Sequence, residues 1–346
     1  MTWTRLRVDY YDGAMDDLIL DAIRPAWHEI RGYFLCHWVR GPHLRIFVDG
    51  DATEIRAVER HLAAVRRHHR PARAAPLHER LAELEGERGP LLPWAPHNTI
   101  ADEPPGLDTE LDRFLADFYA DTTEAAFDAL DRVRAGAPLP GIAFDLVVAT
   151  AHDLSESGLP AARTSLRSRA EAYLSRLPGG VRAQWQAHYE RNREPLTTRI
   201  KALTGAGEIT AWLRTIRATH DRGRTLIDEG RLSHGPAIDG PAIDGPAIDG
   251  PAIDGPAIDG PAIDGPATDR RATQPPLAEV SPFQRRLETD ERWLALKDTP
   301  AFAAYRLALN CAYLHLTRFG LAPDQRFLIC HLAASAADDV YRAAAS

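Results

Sequence analysis

Lysine is almost missing from this sequence: of 41 Lys and Arg in 346 residues, only Lys201 and Lys297 are lysine. That bias fits a GC-rich coding sequence as well as it fits anionic-ligand binding, and a net charge of -8 gives no case for nucleic acid. Cysteine is scarce too. Cys36, Cys311 and Cys330 are too few and too scattered for a disulfide framework or a Cys-x-x-Cys metal site, so they are expected to be reduced and buried. The longest apolar stretch, residues 327–337, contains a histidine and falls far short of the roughly 20 residues a bilayer crossing needs. The N-terminus has no basic region followed by an apolar run, so the expected compartment is the cytoplasm. Walker loops, GxGxxG, HExxH and GxSxG are absent, which removes sequence support for nucleotide hydrolysis, Rossmann chemistry and zinc hydrolysis.

What is present is a chain of ordinary globular usage, 45% hydrophobic and 26% charged, which excludes global disorder and fibrous classes. Its clearest internal boundary is the pentapeptide GPAID, in six exact copies from Gly235 with a degenerate seventh at Gly265. A period of five with Gly and Pro in every unit supports neither helix nor ladder, and one Ile per unit buries too little area to offset ordering entropy. Residues 231–278 are therefore expected to be a disordered linker, and residues 1–230 with 279–346 a single body. Residues 235–267 hold six aspartates and no cation, so the rest of the chain is close to neutral.

Residues 2–10 alternate, with Leu6, Val8 and Tyr10 on one face and Arg5, Arg7 and Asp9 on the other, the period of a half-buried strand. A short helix is expected over 15–23, ended by Arg24-Pro25. Residues 32–39 are apolar on both faces, as in a central strand, and Arg40-Gly41-Pro42 turns the chain into a second strand over 43–49. There His43, Arg45 and Phe47 share one face. The pairing of a titratable imidazole with a permanent bidentate donor can bind and move protons, although a solvent-facing strand edge explains it as well. From residue 51 helices dominate, the first carrying Ile55, Val58, Leu62 and Val65 and ending near the basic run 66–70, which reads as a solvated helix end. The Pro-rich segment 90–105 reads as an ordered loop. Further helices are expected over about 111–119, 122–135, 141–154, 163–177, 181–203, 207–229, 300–318 and 323–341. The fold class is α+β, an N-terminal antiparallel sheet with a hairpin beside a larger helical portion.

Thr299-Pro300 is a helix start, Thr at the N-cap and Pro at N1, and that alone explains Thr299. Tyr305 lies on a stripe with Phe302, Leu309, Tyr313 and Leu316, where a core tyrosine is the plain expectation. Arg306 and Asn310, one turn apart beside that stripe, can line a pocket.

The segment YFLCHWVRGPHLRIFV (33–48) resembles the strand pair of the C-terminal elimination domain of lantibiotic dehydratases and of stand-alone thiopeptide-type bacteriocin biosynthesis proteins. LLPWAPHNTIADEP (91–104), SLRSRAEAYLSRL (165–177) and YRLALNCAYLHLTRFGLAPDQRFLICHLAA (305–334) resemble later blocks of that family, in the same order. The last block looks most like the thiopeptide pyridine synthases. Arg169 stands where the dehydratase-like block has Ser-His, a departure that weakens the case for glutamate elimination.

The resemblance implies an elimination-domain-like fold carrying a formal 4+2 aza-cycloaddition, in which two dehydroalanines of a modified precursor peptide become a six-membered nitrogen ring with loss of water and leader peptide. It implies catalytic roles for Tyr305, Thr299 and His43, as amide-oxygen donor, second hydroxyl of a relay and proton shuttle. Arg45 and Glu103 would bind substrate or stabilise developing charge, and Arg306 and Asn310 would bind substrate. No metal, nucleotide or tRNA is expected, and the partner is the precursor peptide, leader and core, with other enzymes of its pathway. The same residues also suit a glutamate-elimination lyase subunit, or a non-catalytic module capturing a leader peptide by strand addition.

Overall fold

The computed structural model describes residues 3–10, 15–27, 30–37, 42–50, 95–104, 106–177, 179–205, 210–232, 281–321 and 323–343, with Thr53, Arg56, Val58, Arg60 and Leu62 between them. The chain divides into two compact units. The described residues of the first lie within 3–137 and 315–321; those of the second lie within 138–232, 281–314 and 323–343.

In the first unit, strand β1 (Trp3–Asp9) is followed by α1 (Met15–Leu18), a single π turn over Ile19–Ile23, and α2 (Arg24–Ala26). The expected stop at Arg24-Pro25 is corrected. Pro25 falls in the first turn of α2, where a missing N–H is tolerated, and the π turn delivers the chain to it. Strands β2 (Gly32–His37), β3 (His43–Asp49) and β4 (Thr99–Glu103) complete an antiparallel sheet in the order β2-β3-β1-β4. The hairpin β2-β3 forms as the sequence predicts. Two expectations change, however. β2 is apolar on both faces yet lies at a sheet edge among the described residues, because helices cover it: Tyr33 stacks on Tyr119 and Phe34 on Phe127. The Pro-rich loop contributes β4, since Ile100 pairs opposite Val8 and continues the apolar face of β1.

Gly32 opens β2 because a Cβ there would sit 2.3 Å from the Phe47 carbonyl oxygen. Helices α3 (Glu110–Asp121) and α4 (Thr123–Arg134) follow, α3 opened by a capping box in which the Thr109 hydroxyl accepts from the Asp112 amide and the Asp112 carboxylate accepts from the Thr109 amide. Leu6, Val8, Leu44, Ile46 and Phe34 are wholly buried on one sheet face. Val58 and Leu62 are buried helical residues, whereas Ile55, Val65 and the run 66–70 lie outside the described residues.

The second unit is helical: α5 (Leu139–Leu154), α6 (Leu159–Leu174), α7 (Gly179–Thr204), α8 (Ala211–Asp228), α9 (Pro282–Leu287), α10 (Glu291–Lys297), α11 (Pro300–Thr317) and α12 (Pro323–Ala343). The last turn of α11 belongs to the first unit. On α12, Cys330, Ala333, Ala334, Ala336 and Ala337 are fully buried, small side chains that let α6 and α7 approach closely. The lysine-poor composition shows in the ion pairs, which are arginine forks: Arg182 grips Glu171 at 2.6 and 2.7 Å, and Arg199 and Arg217 clamp Asp145 and Asp153 of α5. After α8, the Arg231 and Leu232 amides donate back to the Leu226 carbonyl at 2.9 and 3.1 Å. Residues 233–280, which contain the GPAID repeats, lie outside the described residues.

Candidate functional site

Antiparallel register places the sequence-predicted residues of the first unit on one sheet face. Arg5 is opposite Phe47 and Glu103, Arg7 is opposite Arg45, and Asp9 is opposite His43, which in turn is opposite His37. Glu103 receives two guanidiniums, Arg5 at 3.0 Å and Arg7 at 2.8 Å, and Arg7 also reaches Asp9 at 3.1 Å. Burial raises the Asp9 carboxyl above its usual range despite that contact. Arg45 is half-buried and makes no ion pair among the described residues. Burial and the neighbouring Arg5 and Arg7 charges lower its basicity, against the pull of Glu103. The solvent-edge reading of His43 and Arg45 is corrected: β3 is an inner strand and His43 has no exposed surface. The His43 ring lies 4.8 Å from that of His37, whose own basicity falls far below normal through burial and the charges of Arg45, His43 and Arg5. The face thus carries three guanidiniums against two carboxylates, with His37 held neutral. A face with an excess of guanidiniums can attract an anion or a polarised carbonyl oxygen.

In the second unit, Tyr305 is 6% exposed and stacks on Phe302 with ring centroids 5.7 Å apart. Burial pushes its phenol pKa well up, with Ser165 pulling weakly down and Cys330 up, so the hydroxyl keeps its proton at neutral pH. Ser165 is the side chain whose hydrogen bonding is felt at that hydroxyl. Tyr305 is a core tyrosine by position, and its hydroxyl still carries a proton. Arg306 lies over the Phe302 ring at 5.9 Å, its basicity lowered by burial and by the charge of Arg169, and Asn310 is buried. Thr299 is different. Its hydroxyl accepts from the Phe302 amide at 3.2 Å and donates to the Leu296 carbonyl at 2.8 Å, the N-cap that the Thr-Pro pair predicts.

Each cluster holds further residues that the sequence reading did not single out. On the sheet these are Arg5, Arg7, Asp9 and His37, and the alternation of residues 5, 7 and 9 is the signal for the first three. In the second unit, the guanidinium of Arg169 lies over the rings of Tyr313 and Phe327, at 5.3 and 5.5 Å. The Cys330 thiol donates to the Tyr313 hydroxyl at 3.4 Å. Arg169, Tyr313, Arg326, Phe327 and Cys330 border a shallow depression with no room for a water molecule. Among the described residues there is no cluster of three metal-ligating side chains and no helix long and apolar enough to cross a membrane.

The family model for the lantibiotic biosynthesis dehydratase C-terminal domain matches residues 3–337. The chain belongs to this family. Among solved structures it is similar to the pyridine synthase TbtD from thiomuracin biosynthesis, at 43% identity and a TM-score of 0.71, covering 99% of this chain and 100% of that one. TsrL shares the fold at 22% identity and a TM-score of 0.67, over 99% of this chain and 95% of that one. The tRNA-dependent lantibiotic dehydratase MibB from Microbispora sp. 107891 aligns at 15% identity and a TM-score of 0.44, this chain spanning 29% of its length. No curated protein matches. This family member is an α+β protein as its sequence predicts, an enzyme whose similar structure is a pyridine synthase.

Proposed function

We propose that this chain forms the pyridine ring of a ribosomally made thiopeptide, joining two dehydroalanines of a modified precursor by a formal 4+2 aza-cycloaddition. The observation that carries this reading is the 43% identity to a pyridine synthase over essentially the whole of both chains. In the reaction, the amide between core residues tautomerises to its iminol and becomes a 2-azadiene, which the second dehydroalanine alkene closes into a six-membered nitrogen ring. Water then carries away the former amide oxygen, and the leader peptide leaves from the ring as it becomes aromatic.

Such a reaction needs proton transfers and near-attack positioning, and the two clusters suit those demands. Tyr305 keeps its proton under burial, so it acts as a donor to the amide oxygen rather than as a base. Arg45, held among Arg5, Arg7 and Glu103, binds a substrate carbonyl, and His43 moves a proton beside it. Arg306 and Asn310 are the substrate-binding residues of the cluster that holds Tyr305. Thr299 enters a relay only by giving up its bond to the Leu296 carbonyl. The partner is the precursor peptide, its leader held apart from the chemistry at its core. The test offers the purified full chain two versions of a precursor, one fully dehydrated and one glutamylated but not eliminated. Ring formation and leader release from the first alone supports the proposal. Loss of glutamate from the second, with no ring from the first, makes the chain an elimination lyase instead.

A further inference from the structure

We propose that Asp9 positions His43, the Oδ1 oxygen of its carboxylate accepting the second N–H that the imidazole gains when it carries a proton. This rests on His43 as the proton shuttle of the cyclase reading.

Asp9 has no exposed surface, and its two oxygens differ. Oδ2 accepts from Arg7 Nε at 3.1 Å, whereas Oδ1 has no hydrogen-bond partner among the described residues. A buried carboxylate oxygen without a donor is unusual and calls for a reason. Strand register limits which side chain can supply that donor. Asp9 of β1 is directly opposite Thr99 of β4 and His43 of β3. Thr99 gives its one hydroxyl proton to the Pro96 carbonyl at 2.6 Å. His43 is then the cross-strand neighbour able to serve Oδ1, since the Cβ atoms of opposite residues stand about 5 Å apart. The backbone fixes the arrangement as well: the Asn98 amide donates to the Asp9 carbonyl at 2.7 Å.

A neutral imidazole has a single N–H, and protonation adds a second. The open acceptor on Asp9 therefore matches the protonated state of the shuttle. Charge favours the same pairing. His43 shares its sheet face with Arg7 and Asp9 on β1, His37 on β2 and Arg45 on β3, and Arg5 and Glu103 lie further along it. Arg7 and Arg45 oppose an imidazolium there, and Asp9 is the carboxylate directly across from it. Of the two histidines, His43 takes the proton first, because its charge is one of the causes that hold His37 neutral. A proton from substrate thus arrives on a ring nitrogen of His43 and leaves again from the ring, while Asp9 supplies orientation and negative charge. No bond forms to the protein.

The first readout is the titration of the His43 imidazole by nitrogen-15 NMR in the resting full chain, its resonance identified by its loss in His43→Gln. Wild-type His43 should hold its proton up to the ordinary histidine range or above, and Asp9→Asn should lower the midpoint by about one to three pH units. The second readout is cyclisation of dehydrated precursor across pH. Asp9→Asn should lower kcat by about 10- to 100-fold with KM little changed, and the limb of the kcat profile that follows the imidazole should move with the NMR midpoint. A wild-type His43 that titrates far below the ordinary range, as His37 does, overturns the pairing, and this arm decides the matter should Asp9→Asn not fold. An Asp9→Asn midpoint equal to the wild-type value overturns it too. The titration uses no substrate, so wild-type protein that forms no ring refutes the cyclase reading, while the NMR result alone judges the pairing.

Discussion

Replacing Arg318 tests what holds the first unit together. Its side chain has no exposed surface, and no carboxylate neutralises it among the described residues. Nε donates to the Phe34 carbonyl at 3.1 Å, Nη1 to the Tyr119 carbonyl and the Thr122 hydroxyl, each at 3.1 Å, and Nη2 to the Thr123 hydroxyl at 2.9 Å. The cation also lies over the Phe34 ring at 4.6 Å and the Tyr119 ring at 5.6 Å, so one residue ties β2 to α3 and to the head of α4. Burial lowers its pKa to about 10, which means the fold tolerates the charge at a price in desolvation. Each hydrogen bond to a charged group contributes about 1.5–3 kcal/mol, and removing the cation returns several kcal/mol of desolvation. Arg318→Ala should therefore lose a net of about 3–5 kcal/mol, or roughly 5–10 °C in melting temperature. Arg318→Lys should recover little, because an ammonium cannot span acceptors on three elements. Thermal and urea unfolding followed by far-ultraviolet circular dichroism measure this. An Arg318→Ala protein melting within about 2 °C of wild type refutes the latch.

Tyr305→Phe keeps the ring stacked on Phe302 and removes only the hydroxyl, so cyclisation should slow by about 100- to 1000-fold while melting temperature and leader affinity hold; steady-state turnover beside a thermal melt checks it. Asp16 has its pKa raised to about 6 by burial and by Asp17, against Arg134. Its folded-state pKa lies above the unfolded value, so its favourable contribution is full at low pH and fades as pH rises through about 6. Asp16→Asn should therefore stabilise the protein by about 1–2 kcal/mol at pH 8 and by nothing near pH 3, as urea titrations at both pH values would show. Residues 235–267 carry a Gly-Pro period with no core-forming pattern, so a chain joining Arg231 to Thr273 through a short Gly/Ser linker should keep its melting temperature and turnover.

The sheet was legible because residues 5, 7 and 9 alternate against Leu6 and Val8, and because Arg40-Gly41-Pro42 marks the hairpin. β4 was not: Thr99–Glu103 sits among prolines, and only the register against β1 makes Ile100 a core residue. The edge position of β2 was hidden for a different reason. Helical cover and sheet neighbours bury residues alike, so an apolar run cannot say which of them is responsible. Thr299 was read correctly as a cap from the Thr-Pro pair alone. Arg169 marks a departure from the family pattern in the sequence, but its contact with the Tyr313 and Phe327 rings depends on α6, α11 and α12 meeting, which no local pattern encodes. Arg318 looked like one arginine among many, since burial of a cation without a carboxylate is visible only in three dimensions.

The most direct test of the cyclase reading is the stoichiometry of a single reaction between purified wild-type chain and dehydrated precursor, followed by intact mass. The account predicts one leader peptide released and one water lost for each macrocycle formed, at matching rates. A precursor recovered with its mass unchanged, or a leader released without a ring, contradicts it.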